Sequence, residues 1–254
     1  MSTPPTPTDR PVHSRGGRIR RNEHYRPVDR TGRRSVYVWE LPVRITHWTT
    51  VISIVVLTIT GFWLHNPFLA PPARYSWGHP GFTLGTVRFI HEVTAAVFIA
   101  GMVGRAYWGF VGNKYARWRA MLPLTARQRQ RLRNTLKYYA YVRRDPPPSV
   151  GHNPLASLAY LALCGGFVVS VLTGLSLFAW IAPTSPLHSW LSWTWTIIPI
   201  QYVDLIHFLV MFWFLAFAIH HVYSAVLIDL EERNGELSSM VTGWKLDNGE
   251  EDDF

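Results

Sequence analysis

Four long apolar runs, separated by polar and arginine-rich segments, dominate the pattern of residues along the chain. They extend over residues 45–64, 89–111, 155–180 and 202–228. Each run is close to or longer than the roughly 20 residues that an α-helix needs to cross the hydrocarbon core of a bilayer. The pattern therefore predicts an all-α membrane protein whose fold, over residues 36–232, is a bundle of four transmembrane helices.

The segments that flank this bundle differ from it in composition. Residues 1–35 are rich in Pro and Arg and contain no apolar core, so we expect a disordered basic leader and not a secretory signal peptide. Residues 233–254 end in an acidic stretch and are predicted to form a C-terminal tail. A hydrophobic content of 48% in a chain of net charge +9 also favours a membrane protein over a soluble one.

Positive charge predicts the orientation of the helices. Lys and Arg number ten in residues 1–44 and ten in residues 112–150, but two in residues 65–88 and none in residues 181–201. Because positive charge accumulates in cytoplasmic loops, we expect both chain ends and the central basic loop on the cytoplasmic side of the inner membrane. The basic loop is interpreted as a topogenic signal that contacts anionic lipid headgroups, and no nucleic-acid partner is expected.

Four histidines lie on the apolar runs: His47, His91, His207 and His221. His207 and His221 share one run and are 14 residues apart, which on a helix is an advance of roughly 21 Å and a return to within about 40° of the starting direction. Both imidazoles therefore face the same interior side, one near each membrane surface. This spacing is typical of two stacked haem groups, and the single cysteine, Cys164, excludes an iron–sulfur cluster built by this chain alone.

Helix direction pairs the four histidines by depth. His47 opens the first span and His221 closes the fourth, so both are expected near the inner face. His91 and His207 are expected near the outer face. A histidine on each side of an iron leaves no open coordination position, which favours electron transfer over oxygen binding. The pairing therefore predicts two b-type haems, one held by His91 and His207 and the other by His47 and His221.

Two further histidines compete for these sites. His220 lies 13 residues after His207, about 220° around the helix, so it is predicted to face away from the haem. His65 lies 18 residues after His47, a whole number of turns, and two interpretations stay open for it: an inward role near the outer haem, or a loop-facing role at the end of the span.

Arg105 repeats the 14-residue spacing on the second span, where it follows His91. It is a candidate partner for a propionate of the inner haem, and snorkelling to the inner headgroups is an equal alternative. Glycines on the spans would allow close helix packing or leave room for a flat macrocycle. They are Gly61, Gly101, Gly104, Gly165, Gly166 and Gly174.

The motifs around these histidines are specific. They are VYVWELPVRITHW, RFIHEVTAAVFIAGMVGRAYWGFVGNKYARW, HNPLASLAYLAL, DLIHFLVMFWFLAFAIHHVY and SSMVTGWK. In these motifs the chain resembles the b-type cytochrome subunit of membrane-bound nickel–iron hydrogenases, and the resemblance covers nearly all residues after the first 35. The family's haem ligands fall on the same four histidines. Where some relatives have a double histidine, this chain has His207 followed by Phe208.

The resemblance implies a role in electron transfer. A large nickel–iron subunit would oxidise hydrogen outside, a small iron–sulfur subunit would pass the electrons on, and this chain would carry them to menaquinone or ubiquinone. The chain would be an electron-transfer subunit and not the hydrogen-activating catalyst, within a complex that forms a higher-order oligomer. Two alternatives are a related di-haem cytochrome serving formate dehydrogenase or another partner, and a haem-free membrane anchor or assembly protein.

Overall fold

The computed structural model describes residues 34–66, 80–122, 125–142 and 154–247. The predicted leader up to residue 33, residues 143–153 of the basic loop and the acidic end of the tail from residue 248 lie outside these ranges. Ten elements follow one another along the described chain: β1 (Arg34–Tyr37), α1 (Leu41–His65), α2 (Pro80–Val111), α3 (Trp118–Met121), α4 (Ala126–Tyr139), α5 (Pro154–Ile181), α6 (Pro186–Ile197), α7 (Ile200–Glu232), α8 (Glu236–Thr242) and β2 (Trp244–Asp247).

Four of these helices are long and apolar enough to cross a membrane. The spans are Leu41–His65, Leu84–Val111, Ser157–Ile181 and Ile200–Glu232. Every apolar run identified in the sequence lies inside α1, α2, α5 or α7, which confirms the prediction of an all-α membrane protein with four transmembrane helices. The basic loop between the second and third spans contains two shorter helices, α3 and the arginine-rich α4.

The spans pack as two helix pairs around a narrow aromatic core. Helix α1 lies against α2, and α5 lies against α7. Phe98 of α2, Leu163 and Phe167 of α5 and Phe214 of α7 are buried together at the centre. Large aliphatic residues point outward instead, among them Ile59 with 65% exposure. This inverted distribution is expected where the surroundings are lipid tails, because lipid is as apolar as a Leu side chain.

A small folded cap closes one end of the bundle. Strands β1 and β2 pair antiparallel, with Val36 opposite Lys245, and α8 precedes β2. Residues 234–247 were predicted only as part of a tail, but they form α8 and β2. Apolar packing explains the difference, because Met240 of α8 packs against a buried cluster from β1, the start of α1 and the segment after α2: Val36, Val38, Trp39, Val43, Tyr115 and Ala116. We call this end of the bundle the sheet end and the opposite end, where α6 lies, the α6 end.

Glu40 joins the cap to the second span. Its Oε2 accepts hydrogen bonds from the Trp108 Nε1–H and from the Asn113 backbone N–H, both at 2.8 Å. The Asn113 side chain donates in turn to the Val38 carbonyl at 2.9 Å. The carboxylate therefore satisfies two donors at the C-terminal end of α2 and fixes the start of α1 beside it.

We expect Glu40→Ala to lower the free energy of unfolding by about 1–3 kcal/mol, because two partly buried donors lose a charged acceptor. Thermal unfolding of the purified protein in detergent measures the change. Glu231→Ala is the matched control, since Glu231 is exposed on α7, and an exposed substitution is expected to change stability by less than about 0.5 kcal/mol. Equal stability of the two variants would contradict the joining role of Glu40.

Candidate functional site

Two pairs of imidazole rings face each other between helices of the bundle, one pair near each end. At the α6 end the rings of His91 (α2) and His207 (α7) have centroids 6.4 Å apart and an interplanar angle of 68°. At the sheet end the rings of His47 (α1) and His221 (α7) also have centroids 6.4 Å apart, with an angle of 61°. We call them the α6-end pair and the sheet-end pair. These are the pairs that helix direction and depth predicted from the sequence.

The spacing within each pair fits one shared iron ion. A first-row transition metal bonds an imidazole nitrogen at about 2.0–2.1 Å, and the ring centre lies about 1.1 Å behind that nitrogen, so two axial ligands place their centroids roughly 6.3 Å apart. The described residues contain no group of three or more His, Cys, Asp or Glu side chains that could hold a metal ion by themselves. Two donors on opposite sides therefore suit an iron whose four remaining positions belong to a macrocycle, as in a b-type haem.

Threonine hydroxyls hold both imidazoles of the α6-end pair. The Oγ1 of Thr60 on α1 lies 2.7 Å from the Nδ1 of His91. On the other side, the Oγ1 of Thr173 on α5 lies 2.9 Å from the Nδ1 of His207. Each histidine is thus fixed by a helix other than its own, with its remaining ring nitrogen free to act as a ligand.

A glycine follows each of these threonines and leaves space for the ring. A Cβ added at Gly61 would lie 3.5 Å from the Cε1 of His91, and one added at Gly174 would lie 3.0 Å from the Cε1 of His207. Few real Cβ contacts are as short as the second, so a larger residue at position 174 would displace the His207 ring by a few tenths of an ångström. At both places the imidazole of one helix contacts a Thr-Gly dipeptide on the neighbouring helix.

Among the described residues, the imidazoles of the sheet-end pair contact aromatic rings and not hydrogen-bonding hydroxyls. His221 is stacked on Phe217 with an interplanar angle of 8°, and His47 meets the ring edge of Trp48. Trp48 donates its Nε1–H to the Met240 carbonyl of α8 at 3.0 Å, which anchors this turn of α1 to the cap. The Nδ1 of His47 is buried and has no hydrogen-bond partner within the described part of the chain.

The two competing histidines lie away from the pairs. His65 is stacked on Phe208, with centroids 3.8 Å apart, and its Nδ1 lies 3.9 Å from a carboxylate oxygen of Asp204. Of the two interpretations left open for His65, this arrangement favours the role at the end of the span. His220 is exposed, with its Nδ1 3.2 Å from the Ser224 hydroxyl. His221, not His220, is the residue that faces His47.

Arg105 lies at the sheet end, but its contacts point toward α3 and α5. Its guanidinium donates to the Ala116 carbonyl at 3.3 Å and lies over the rings of Trp118 and Tyr160, at 5.7 and 5.5 Å from their centroids. The contact between Arg105 and a haem propionate therefore stays a prediction. The observed neighbours of the guanidinium include two aromatic rings.

The other glycines of the spans differ in what they face. Gly101 and Gly104 on α2 face the methyl groups of Thr49 and Thr46 on α1, and an added Cβ would contact those methyls at 3.5 Å in each case. At Gly166 on α5 an added Cβ would overlap the Trp213 ring of α7, whereas at Gly165 it would meet nothing within 4 Å. Tight packing therefore explains the glycine at Gly166, beside the Trp213 ring, and at Gly174, beside the His207 ring, whereas at Gly61, Gly101 and Gly104 an added Cβ would make ordinary van der Waals contact.

Sequence reasoning identified the four histidines but missed Thr60 and Thr173. A signal for them is present, because the same dipeptide, Thr-Gly, occurs on the first span at 60–61 and on the third at 173–174. Threonine is common in transmembrane helices, where it bonds back to its own helix, so the dipeptide alone does not indicate a site. Only the pairing of helices across the bundle shows which histidine each hydroxyl contacts.

Known proteins resemble this chain over most of its length. The family model described as prokaryotic cytochrome b561 matches residues 38–243. A protein of Cupriavidus necator named "Probable Ni/Fe-hydrogenase B-type cytochrome subunit" is 36% identical over 219 residues, covering 84% of this chain and 87% of that protein. A protein of the same name from Azotobacter vinelandii is 33% identical over 232 residues, covering 84% and 89%.

A third relative extends the similarity to Escherichia coli K12. Its "Probable Ni/Fe-hydrogenase 1 B-type cytochrome subunit" is 31% identical over 220 residues, covering 83% of this chain and 91% of that protein. The matched region includes the four spans and both histidine pairs; of the cap it includes α8 but neither strand. The chain therefore belongs to the prokaryotic cytochrome b561 family, the family of the b-type cytochrome subunits that these relatives are named for.

Proposed function

We propose that this chain is the di-haem cytochrome b subunit of a nickel–iron hydrogenase. It anchors the hydrogenase to the cytoplasmic membrane and carries electrons from the small subunit's iron–sulfur clusters to menaquinone or ubiquinone. Oxidation of one hydrogen molecule releases two protons and two electrons, and reduction of one quinone to its quinol consumes two of each. Haem bound at the two pairs would supply one-electron redox chemistry between these reactions.

The observation that carries the proposal is the presence of two histidine pairs at opposite ends of the bundle, each with ring centroids 6.4 Å apart. Ionisable side chains in a membrane interior are costly and are retained for function, and four of them in two matched pairs are difficult to explain as structural. The names of the relatives support hydrogenase as the partner enzyme.

The charge distribution supports an orientation for the two pairs. Because the lysine- and arginine-rich segments adjoin the sheet end, we place that end and both chain termini in the cytoplasm. The α6-end pair then holds the outer haem, near the small subunit, and the sheet-end pair holds the inner haem, near the quinone. Electrons would enter at His91 and His207 and leave from the side of His47 and His221.

His207→Ala is expected to reduce the haem content from two per chain to one, because the outer haem would lose one of the two histidines proposed to hold it. A pyridine haemochrome assay on the purified complex measures the content. His65→Ala is the matched control: His65 also lies at the α6 end and is stacked on the residue next to His207, yet it is outside the pair. An undiminished haem content in His207→Ala would reject the ligand assignment.

Adjacent histidines provide a second test at the other end of the bundle. We expect His221→Ala to lose the inner haem, whereas His220→Ala keeps both, because the ring that faces His47 is that of His221, and the His220 ring contacts Ser224 of its own helix. Haem content and the reduced absorption spectrum are compared for the two variants. If His220→Ala lost a haem and His221→Ala did not, the inner pair would have been assigned to the wrong residue.

Chemical labelling tests the orientation. In a Cys164→Ala background, we expect Ser189→Cys on α6 to react with a membrane-impermeant maleimide applied to the outer face of intact spheroplasts. Ser238→Cys on α8 should react only after the membrane is permeabilised. Both serines are exposed, so accessibility to the reagent differs only by side of the membrane. The opposite labelling pattern would reverse the assignment of the outer and inner haems.

A further inference from the structure

We propose that Thr60 and Thr173 are positioning residues that fix the tautomer of the outer histidine pair and lower the reduction potential of the outer haem below that of the inner haem. The inference rests on the proposed function, because it assumes that each histidine pair binds a haem. It adds to that function a reason for electrons to move inward.

The hydrogen bonds of Thr60 determine which ring nitrogen of His91 carries the proton. A hydroxyl has one proton, and the Thr60 Oγ1 lies 2.7 Å from the Val56 carbonyl, which can only accept. With its proton given to that carbonyl, the same oxygen accepts from the Nδ1–H of His91 at 2.7 Å. His91 is then a neutral imidazole whose lone pair is on Nε2, as an iron ligand requires.

Thr173 repeats this arrangement on the third span. Its hydroxyl donates to the Val169 carbonyl at 2.7 Å and accepts from the Nδ1–H of His207 at 2.9 Å. The two hydrogen bonds, from the ring to the hydroxyl and from the hydroxyl to the carbonyl, strengthen each other, because a hydroxyl that donates becomes a better acceptor. Both imidazoles of the outer pair are therefore oriented by helices that do not carry them.

The inner pair has no matching support among the described residues. The Nδ1 of His47 is buried without a hydrogen-bond partner there, and the neighbour of His221 is the apolar face of Phe217. A ligand whose second nitrogen donates to an acceptor is more basic and stabilises the oxidised iron more strongly. The outer haem is consequently the one whose oxidised form is favoured, so an electron placed there passes readily to the inner haem.

Potentiometric titration of the purified hydrogenase complex tests this inference. Two one-electron steps are expected in the wild type, and the step that is missing in His207→Ala identifies the outer haem. In the Thr60→Val/Thr173→Val double variant, we expect the outer potential to rise, changing the ratio of reduced to oxidised outer haem by up to about tenfold, which is about 59 mV. The inner potential should stay unchanged, and the low-spin ferric EPR signal of the outer haem should shift.

Each single valine variant is expected to raise the outer potential by part of the change seen in the double variant, because each removes the hydroxyl that one imidazole contacts. Thr60→Ser and Thr173→Ser restore the hydroxyl and should restore the wild-type potential. Thr46→Val on α1 and Ser176→Ala on α5 are matched controls, since both remove a hydroxyl that bonds only to its own helix, and neither should move the outer potential.

Each result decides between the inference and its alternatives. If the wild type binds two haems and the double valine variant leaves the outer potential unchanged or lowers it, the inference is overturned and the proposed function stands. A wild type without haem would overturn the proposed function itself. If the valine variants lose the outer haem, the serine variants decide the outcome. An outer haem retained in the serine variants supports positioning by the hydroxyl, and an outer haem lost in the serine variants as well rejects the inference.

Discussion

Every polar group in a membrane interior needs a partner inside the protein, and the structure of this chain depends on that constraint. The surrounding lipid cannot hydrogen-bond an imidazole, so a histidine on a span is stable only where another helix or a cofactor receives it. At the α6 end, hydroxyls of α1 and α5 receive the rings of His91 and His207. Each contact also joins two helices, so the requirements of the site and of the bundle are met by the same bonds.

The two ends of the bundle meet this constraint in different ways. At the α6 end, hydrogen bonds across the helices hold the rings, and Gly61 and Gly174 provide the space. At the sheet end, α8 is bound to the first turns of α1 by the Trp48 indole and by an Arg44 guanidinium that donates to the Val241 carbonyl. The cap thus orients α1 near His47, whereas the Nδ1 of that imidazole has no hydrogen-bond partner among the described residues. The two similar pairs therefore have different protein environments, and the proposed inward direction of electron transfer rests on this difference.

The parts of the structure that were predictable from the sequence are those set by helix periodicity and hydropathy. The four spans and the face shared by His207 and His221 follow from apolar length and from 3.6 residues per turn. The cap was not predictable, because β1 and β2 are four residues each and lie about 200 residues apart in the chain. The contacts of Arg105 were not predictable for a similar reason. Periodicity gives the depth of Arg105, but the rings of Trp118 and Tyr160 that its guanidinium lies over belong to other elements.

The seven-residue spacing along α2 and α7 links the two sites to the core between them. Phe98 lies seven residues after His91, and Phe214 lies midway between His207 and His221. Both phenylalanines pack on Phe167 of α5, with centroids 5.1 and 5.0 Å from it. Seven residues are nearly two turns, so a residue at this step keeps the same interior face about 10 Å further along. The periodicity that aligns the histidines therefore also places an aromatic layer between the two pairs, and this layer separates the two sites by apolar material.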